Sequence, residues 1–201
     1  MKSKLFYPVM PDSLHPVYIV YRREMFFTDK ILKSLGGGPY LHCEVFVPEY
    51  NQVFALFWGH RPQMRSDLSS LYNTQPEFFT YHTIYMDGDE FSRFMQFHIS
   101  LVEHKNAYNV SDLFFQLVPS RFAETFCTDV PPHETRRKLF CSQAIWLSLR
   151  EAISRESHNS ALKPFLDKYN SRLMTPSHMC QVLTAALNSN EQEMAAWSTK
   201  K

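Results

Sequence analysis

The clearest buried helix of this chain is encoded by residues 136–152, RRKLFCSQAIWLSLREA. Apolar side chains recur there at a mostly helical spacing, which predicts a core helix with Cys141 in its first turn. The apolar positions are Phe140, Ala144, Ile145, Leu147, Leu149, Ala152 and Ile153.

A cysteine at the start of a helix has a chemical use. The free N–H groups and the positive dipole end of a helix N-terminus stabilise a thiolate, and the thiolate is the nucleophilic form. The upstream residues Arg136, Arg137 and Lys138 add positive potential. The alternative is that Cys141 is only a small buried hydrophobe, which is the common fate of a cysteine.

Composition indicates an ordinary globular domain. The chain has 201 residues, of which 44% are hydrophobic, and this is enough for a packed core. Only 5 residues are glycine, and the run Gly36–Gly38 lacks a following Lys-Ser/Thr, so a phosphate-binding loop is not expected. The net charge of +1 gives no reason to expect nucleic acid or an anionic membrane as a partner.

The cysteines indicate a reducing compartment. The four of them are spread singly, without a CxxC pair, and the first 16 residues contain no continuous apolar stretch that would serve as a signal peptide. No run is long enough for a transmembrane segment. We therefore expect a cytoplasmic protein with free thiols.

Strand patterns dominate the first half of the chain. A run of β-branched and aromatic residues at Val17–Arg22 predicts a first strand, and Tyr40–Val47 with Gln52–Trp58 predicts a hairpin. In the second strand, His42 and Glu44 project from one face because side chains alternate. Phe78–Met86 is a further strand, whereas residues 60–77 read as polar and irregular.

Helical patterns follow. A helix is predicted over Glu24–Leu35, an amphipathic helix over Asp89–His104, a short helix within Asn159–Asn170 and a last helix begun by the cap Thr175-Pro176. Strands early and helices late predict an α+β fold with a small antiparallel sheet. We expect one domain over residues 1–187 and a flexible C-terminal tail over residues 188–201.

A cysteine on a helix and a histidine on a strand form the reactive pair of papain-like thiol enzymes. The histidine takes the thiol proton and later protonates the leaving group, and a third polar group orients its ring. That geometry does not depend on chain order, so His42 can serve Cys141 although it comes first.

The order of these motifs resembles the circularly permuted NlpC/P60-like proteins of the papain-like fold. This group includes poxviral and bacterial members and the related lecithin retinol acyltransferase group. The matching pieces are His42-Cys43-Glu44-Val45, Tyr108 and the segment after it, Phe140-Cys141-Ser142, and Thr175-Pro176, within a resemblance that spans Val17 to Leu187.

The resemblance implies a third catalytic residue on the strand after the histidine strand. This chain departs from the pattern, because Phe54, Ala55 and Leu56 stand there and are apolar. Glu44 is the preferred alternative, since it lies two residues from His42 on the same strand face, and Gln52 is its substitute.

An oxyanion hole would use the backbone N–H of Cys141 and one further donor. Gln143, Tyr18 and Tyr108 are the possible donors. Gln52, Tyr108 and Gln143 are the candidate substrate-binding residues.

The resulting hypothesis is a cysteine hydrolase or acyltransferase that acts through a Cys141 thioester, with His42 as general base, and needs no cofactor or metal. The resemblance implies peptide, ubiquitin-like, lipid acyl or peptidoglycan substrates. A catalytically inactive papain-like domain that binds a lipid, a peptide or a protein partner is the main alternative. A zinc site from His42-Cys43, His178, Cys180 and Cys141 is less favoured, because the familiar ligand spacing is absent and adjacent strand residues point to opposite faces.

Overall fold

A computed structural model describes residues 14–24, 38–56, 62–67, 69–103 and 139–198 of the chain. The predicted helix over Glu24–Leu35 and the candidate residue Tyr108 lie outside these residues. Five strands and five α-helices are present in the described part, with four short 3-10 turns between them.

The strands form one antiparallel sheet. In chain order they are β1 His15–Arg22, β2 His42–Val47, β3 Gln52–Ala55, β4 Gln63–Arg65 and β5 Phe79–Met86. Their spatial order is β4-β3-β2-β1-β5, and every neighbouring pair is antiparallel. The predicted small antiparallel sheet is confirmed, and its second strand begins with His42.

The segment predicted to be irregular contains two regular elements. Strand β4 pairs with β3 at the sheet edge, and a helix, α1, spans Ser69–Thr74. The prediction was wrong here because both elements are too short to show a side-chain period. Backbone pairing specifies β4, and burial of the Tyr72 ring against the sheet anchors α1.

The remaining helices follow β5. They are α2 Gly88–Glu103, α3 Cys141–Ala152, α4 Lys163–Lys168 and α5 Pro176–Ser198. The Thr175 hydroxyl accepts a hydrogen bond from the His178 N–H, as expected of a helix cap. Helix α5 continues over most of the segment for which a flexible tail was predicted.

Helix α2 begins with a capping box. The Asp87 carboxylate accepts from the Glu90 N–H at 2.8 Å, and the Glu90 carboxylate accepts from the Asp87 N–H at 3.2 Å. The helix therefore starts at Gly88, one residue before the predicted Asp89.

The two faces of the sheet bury different clusters. One face packs with residues of α2, α3 and α5 into the main core, to which Cys43, Val45 and Cys141 belong. The opposite face carries a smaller aromatic cluster that includes Phe46 and Tyr72. The full smaller cluster is Tyr18, Val20, Phe46, Val53, Ala55 and Tyr72, with Phe79 packed against it.

The structure is thus a mixed α+β fold with a five-stranded antiparallel sheet. Among the described helices, none combines the length and the apolar character that crossing a membrane requires.

Candidate active site

Cys141 is the first residue of α3, as the sequence predicted. The preceding residue, Phe140, has an extended backbone and offers no side-chain acceptor to the first turn of the helix. The first-turn N–H groups and the positive end of the helix therefore act on the cysteine without competition from an N-cap side chain. The Cys141 side chain is only 4% exposed.

His42 is the first residue of β2, and its ring contacts the Cys141 thiol. Its exposed fraction is 6%, so the interaction takes place away from bulk solvent. The structure thus brings together the two residues that the sequence analysis proposed as nucleophile and base.

The two groups shift each other's proton affinity. Burial lowers the pKa of His42, but the Cys141 thiolate and then the Glu44 carboxylate outweigh burial and raise that pKa to about 9. The pKa of Cys141 lies well below its usual range, because hydrogen bonds from Cys43 and the charge of His42 outweigh the cost of burial. The arrangement favours a thiolate–imidazolium pair, which is the reactive form of a cysteine nucleophile.

Cys43 also contacts the sulfur of Cys141. Its backbone N–H and its thiol both donate to Cys141 Sγ. The pairing of β2 with β3 begins only at Val45, so the N–H of Cys43 lies beyond the last paired residue and is available to the sulfur. A backbone N–H lies near the plane of a sheet, and this position explains how side chains from both faces of β2 meet one atom.

Glu44 lies on the same strand face as His42, as predicted. Its Oε2 is 3.7 Å from His42 Nε2, and its side chain is buried. This distance is an ion-pair contact and exceeds a hydrogen bond. The carboxylate can therefore stabilise the imidazolium and restrain the ring from the side of Nε2.

Sequence reasoning missed Tyr72. Its hydroxyl donates a 2.8 Å hydrogen bond to Glu44 Oε1, and both groups are buried. Burial, followed by the Glu44 charge, raises the pKa of Tyr72, so the phenol remains a donor. No sequence signal marked Tyr72, because the contact spans 28 residues and α1 has no visible helical period.

Gln52 does not lie beside His42. It is paired with Val47 at the other end of β2, and five residues of strand place it about 17 Å from the histidine position. On the face that carries Phe46, strand β3 offers only Val53 and Ala55. Of these two candidates, Glu44 is the one that contacts His42.

Two of the candidate oxyanion donors, Tyr18 and Gln143, are not directed at Cys141. Tyr18 lies four residues along β1 from Arg22, the partner of His42, or about 13 Å away. Gln143 is fully buried in the first turn of α3, and both atoms of its amide lack a hydrogen-bond partner in the described part of the chain. Residues two apart on a helix do not face each other, so Gln143 is turned away from Cys141.

No protein-family model, curated protein or solved structure matches this chain. Within the described residues, no group of three or more His, Cys, Asp or Glu side chains could hold a metal ion.

Proposed function

We propose that this chain is a papain-like thiol hydrolase or acyltransferase of the permuted NlpC/P60 type, with Cys141 as nucleophile. The observation that carries this proposal is the contact of the buried His42 ring with the Cys141 thiol at the start of a core helix. The opposite pKa shifts of the two groups support it, because they favour a thiolate beside an imidazolium.

The proposed reaction has two stages. The Cys141 thiolate attacks the carbonyl carbon of an amide or ester, and the His42 imidazolium protonates the leaving amine or alcohol as the thioester forms. His42, now neutral, then takes a proton from water or from an acceptor amine, which attacks the thioester and releases Cys141. The backbone N–H of Cys141 would stabilise the oxyanion in both stages.

Glu44 is proposed to orient His42. The 3.7 Å contact and the hydrogen bond from Tyr72 hold a carboxylate at the Nε2 side of the ring. A third group of this kind keeps the imidazole in its productive orientation and stabilises the imidazolium.

The substrate is proposed to be an acyl compound of the peptide, ubiquitin-like or lipid class. These are the classes that the resemblance implies, and the thioester chemistry serves all of them. The mechanism assigns no step to a cofactor or a metal ion.

The second candidate is an inactive domain that binds a lipid, a peptide or a protein partner. The burial of Cys141 and His42 favours it, because a nucleophile that is 4% exposed must become accessible before a substrate carbonyl can reach it. The 3.7 Å between His42 Nε2 and Glu44 Oε2 also exceeds the hydrogen-bond distance expected of a complete triad.

Alkylation by iodoacetamide across pH 4 to 9 decides between the two. We expect rapid labelling of Cys141 well below the ordinary thiol pKa of about 8.5. Labelling should vanish in Cys141→Ala and slow in His42→Ala, whereas Cys180→Ser should match the wild type, because Cys180 contacts Tyr40 and Thr184 instead. Labelling of Cys141 only above pH 8, and without dependence on His42, would reject the catalytic function.

A further inference from the structure

Two thiols share a contact in the candidate active site. Cys43 and Cys141 are both buried and belong to the same core cluster. The Cys43 thiol donates a hydrogen bond to Cys141 Sγ, which lowers the pKa of Cys141. Both cysteines are free thiols in the structure. Cys180, the other cysteine in the described part of the chain, has different neighbours, the Tyr40 and Thr184 side chains.

We propose that Cys43 is the resolving thiol of a reversible disulfide with Cys141, formed when a peroxide oxidises the nucleophile. The proposal rests on the proposed function in one respect, since it takes Cys141 as the reactive thiolate. It assigns to the site an oxidative modification that switches the nucleophile off and protects it.

The first step oxidises Cys141. Its thiolate attacks one oxygen of a hydroperoxide, so that a sulfur–oxygen bond forms and the oxygen–oxygen bond breaks. The departing alkoxide or hydroxide takes the proton of the His42 imidazolium, which leaves a Cys141 sulfenic acid and a neutral histidine.

The second step joins the two sulfurs. The Cys43 sulfur attacks Cys141 Sγ, the sulfur–oxygen bond breaks, and His42 carries the Cys43 proton to the departing hydroxide, which leaves as water. In total, two thiols lose two electrons and two protons, and one peroxide is reduced to an alcohol, or to water, with one further water formed.

The electrostatics assign these roles in this order. Burial, followed by the neighbouring Cys141 thiolate, raises the pKa of Cys43 well above its usual range, so Cys43 stays protonated while Cys141 is charged. Oxidation of Cys141 to the sulfenic acid removes that negative charge, and the Cys43 thiol then loses its proton more easily. The peroxide therefore oxidises Cys141 first, and Cys43 becomes able to attack only after the sulfenic acid has formed.

The contact also favours a disulfide over further oxidation. A sulfenic acid goes on to the irreversible sulfinic acid unless a thiol captures it, and a thiol already in contact captures it fastest. Reduction by a dithiol would then return both cysteines and the nucleophile.

The test uses the full chain, treated with hydrogen peroxide, alkylated without reduction, digested and mapped by mass spectrometry. We expect the peptides of Cys43 and Cys141 to appear joined and two hydrogens lighter in most wild-type chains and in Cys180→Ser, and to separate after dithiothreitol. In Cys43→Ser, and equally in Cys43→Ala, we expect a dimedone-reactive sulfenic acid and then sulfinic acid at Cys141.

Two outcomes would overturn the inference. One is direct conversion of wild-type Cys141 to the sulfinic acid at the rate seen in Cys43→Ser. The other is a cross-link from Cys141 to Cys127 or Cys180 in place of Cys43. Either result, obtained together with rapid low-pH alkylation of Cys141, rejects the disulfide and leaves the proposed function intact. Slow alkylation of Cys141 beside a mapped Cys43–Cys141 bond rejects the proposed function and the order of oxidation, and only the disulfide itself then stands.

Discussion

The hydroxyl of Tyr72 donates a 2.8 Å hydrogen bond to Oε1 of Glu44, whose other oxygen lies 3.7 Å from His42 Nε2. A helix of six residues thereby reaches the carboxylate that faces the candidate base. The contact extends the Cys141–His42 pair into a chain of four buried side chains from three separate elements.

Replacement of Tyr72 by Phe removes this donor and leaves Glu44 Oε1 buried without it. A hydrogen bond to a charged group contributes about 1.5–3 kcal/mol, so we expect the free energy of unfolding to fall by about 2 kcal/mol. Urea denaturation followed by circular dichroism measures the change.

Tyr81→Phe is the matched control for this substitution. Tyr81 lies on the edge strand β5 and is 50% exposed, so its hydroxyl is in contact with solvent and its loss should change stability by less than about 0.5 kcal/mol. Equal losses in the two variants would show that the hydrogen bond from Tyr72 to Glu44 does not contribute to stability.

The imidazole of His42 should titrate near pH 9. The Cys141 thiolate and the Glu44 carboxylate raise its pKa, and burial opposes them. Both Cys141→Ala and Glu44→Gln should therefore lower the His42 pKa, with the larger decrease for Cys141→Ala, because that cysteine is the stronger of the two causes.

Proton NMR of the imidazole carbon-bound hydrogens from pH 5 to 10 measures these values. Glu49→Gln is the control, since Glu49 pairs with His15 and is not among the groups that shift the His42 pKa. A wild-type His42 that titrates near the ordinary pKa of about 6.5 would contradict the thiolate–imidazolium pair.

Local patterns predicted the sheet and the position of each member of the candidate pair, because these features depend on local rules. The expectation that Cys141 and His42 meet came instead from the resemblance to papain-like thiol enzymes. Alternation along β2 places His42 and Glu44 on one face, and helical spacing places Cys141 at the start of α3. The contact of Tyr72 with Glu44 and the meeting of Cys43 with Cys141 depend on tertiary packing, which no short-range period encodes.

The position of Cys43 shows that strand alternation alone does not decide which side chains meet. Adjacent residues point to opposite faces, and this argued that His42 and Cys43 would not share a partner. Cys141 nevertheless contacts both, because it lies next to the unpaired end of β2, where the N–H of Cys43 donates to its sulfur. The register at which β3 stops pairing cannot be read from the sequence of β2.

His98 should make the protein less stable in mild acid. It lies on the apolar stripe of α2, its ring is within 4.5 Å of the rings of Phe54 and Phe94, and burial lowers its pKa to about 3. Because the folded-state pKa is below the unfolded value of about 6.5, the unfolded chain binds the proton first and stability falls as the pH drops below about 6.5.

We expect this residue alone to reduce the free energy of unfolding by about 2 kcal/mol between pH 8 and pH 5. His98→Leu should remove that part of the pH dependence and raise stability at pH 7, since neither ring nitrogen has a hydrogen-bond partner in the described residues. Urea unfolding curves at both pH values test this. If the free energy of unfolding changes with pH in His98→Leu as much as in the wild type, a buried neutral histidine is excluded.

Gly38 should not tolerate a side chain. Its φ of +70° is left-handed, and a Cβ there would lie 2.6 Å from the Ser177 Oγ. That hydroxyl accepts from the Tyr40 N–H at 2.9 Å and donates to the Tyr40 carbonyl at 3.0 Å, so it fastens the approach to β2 onto the start of α5 and has no room to move. Gly38→Ala should lower the free energy of unfolding by about 1–3 kcal/mol from backbone strain and the clash.

Gly88→Ala is the control, because its Cβ position at the start of α2 faces open space among the described residues, and the variant should unfold at the wild-type urea concentration or above. If both variants unfold at the same urea concentration, Gly38 is not held tightly against Ser177.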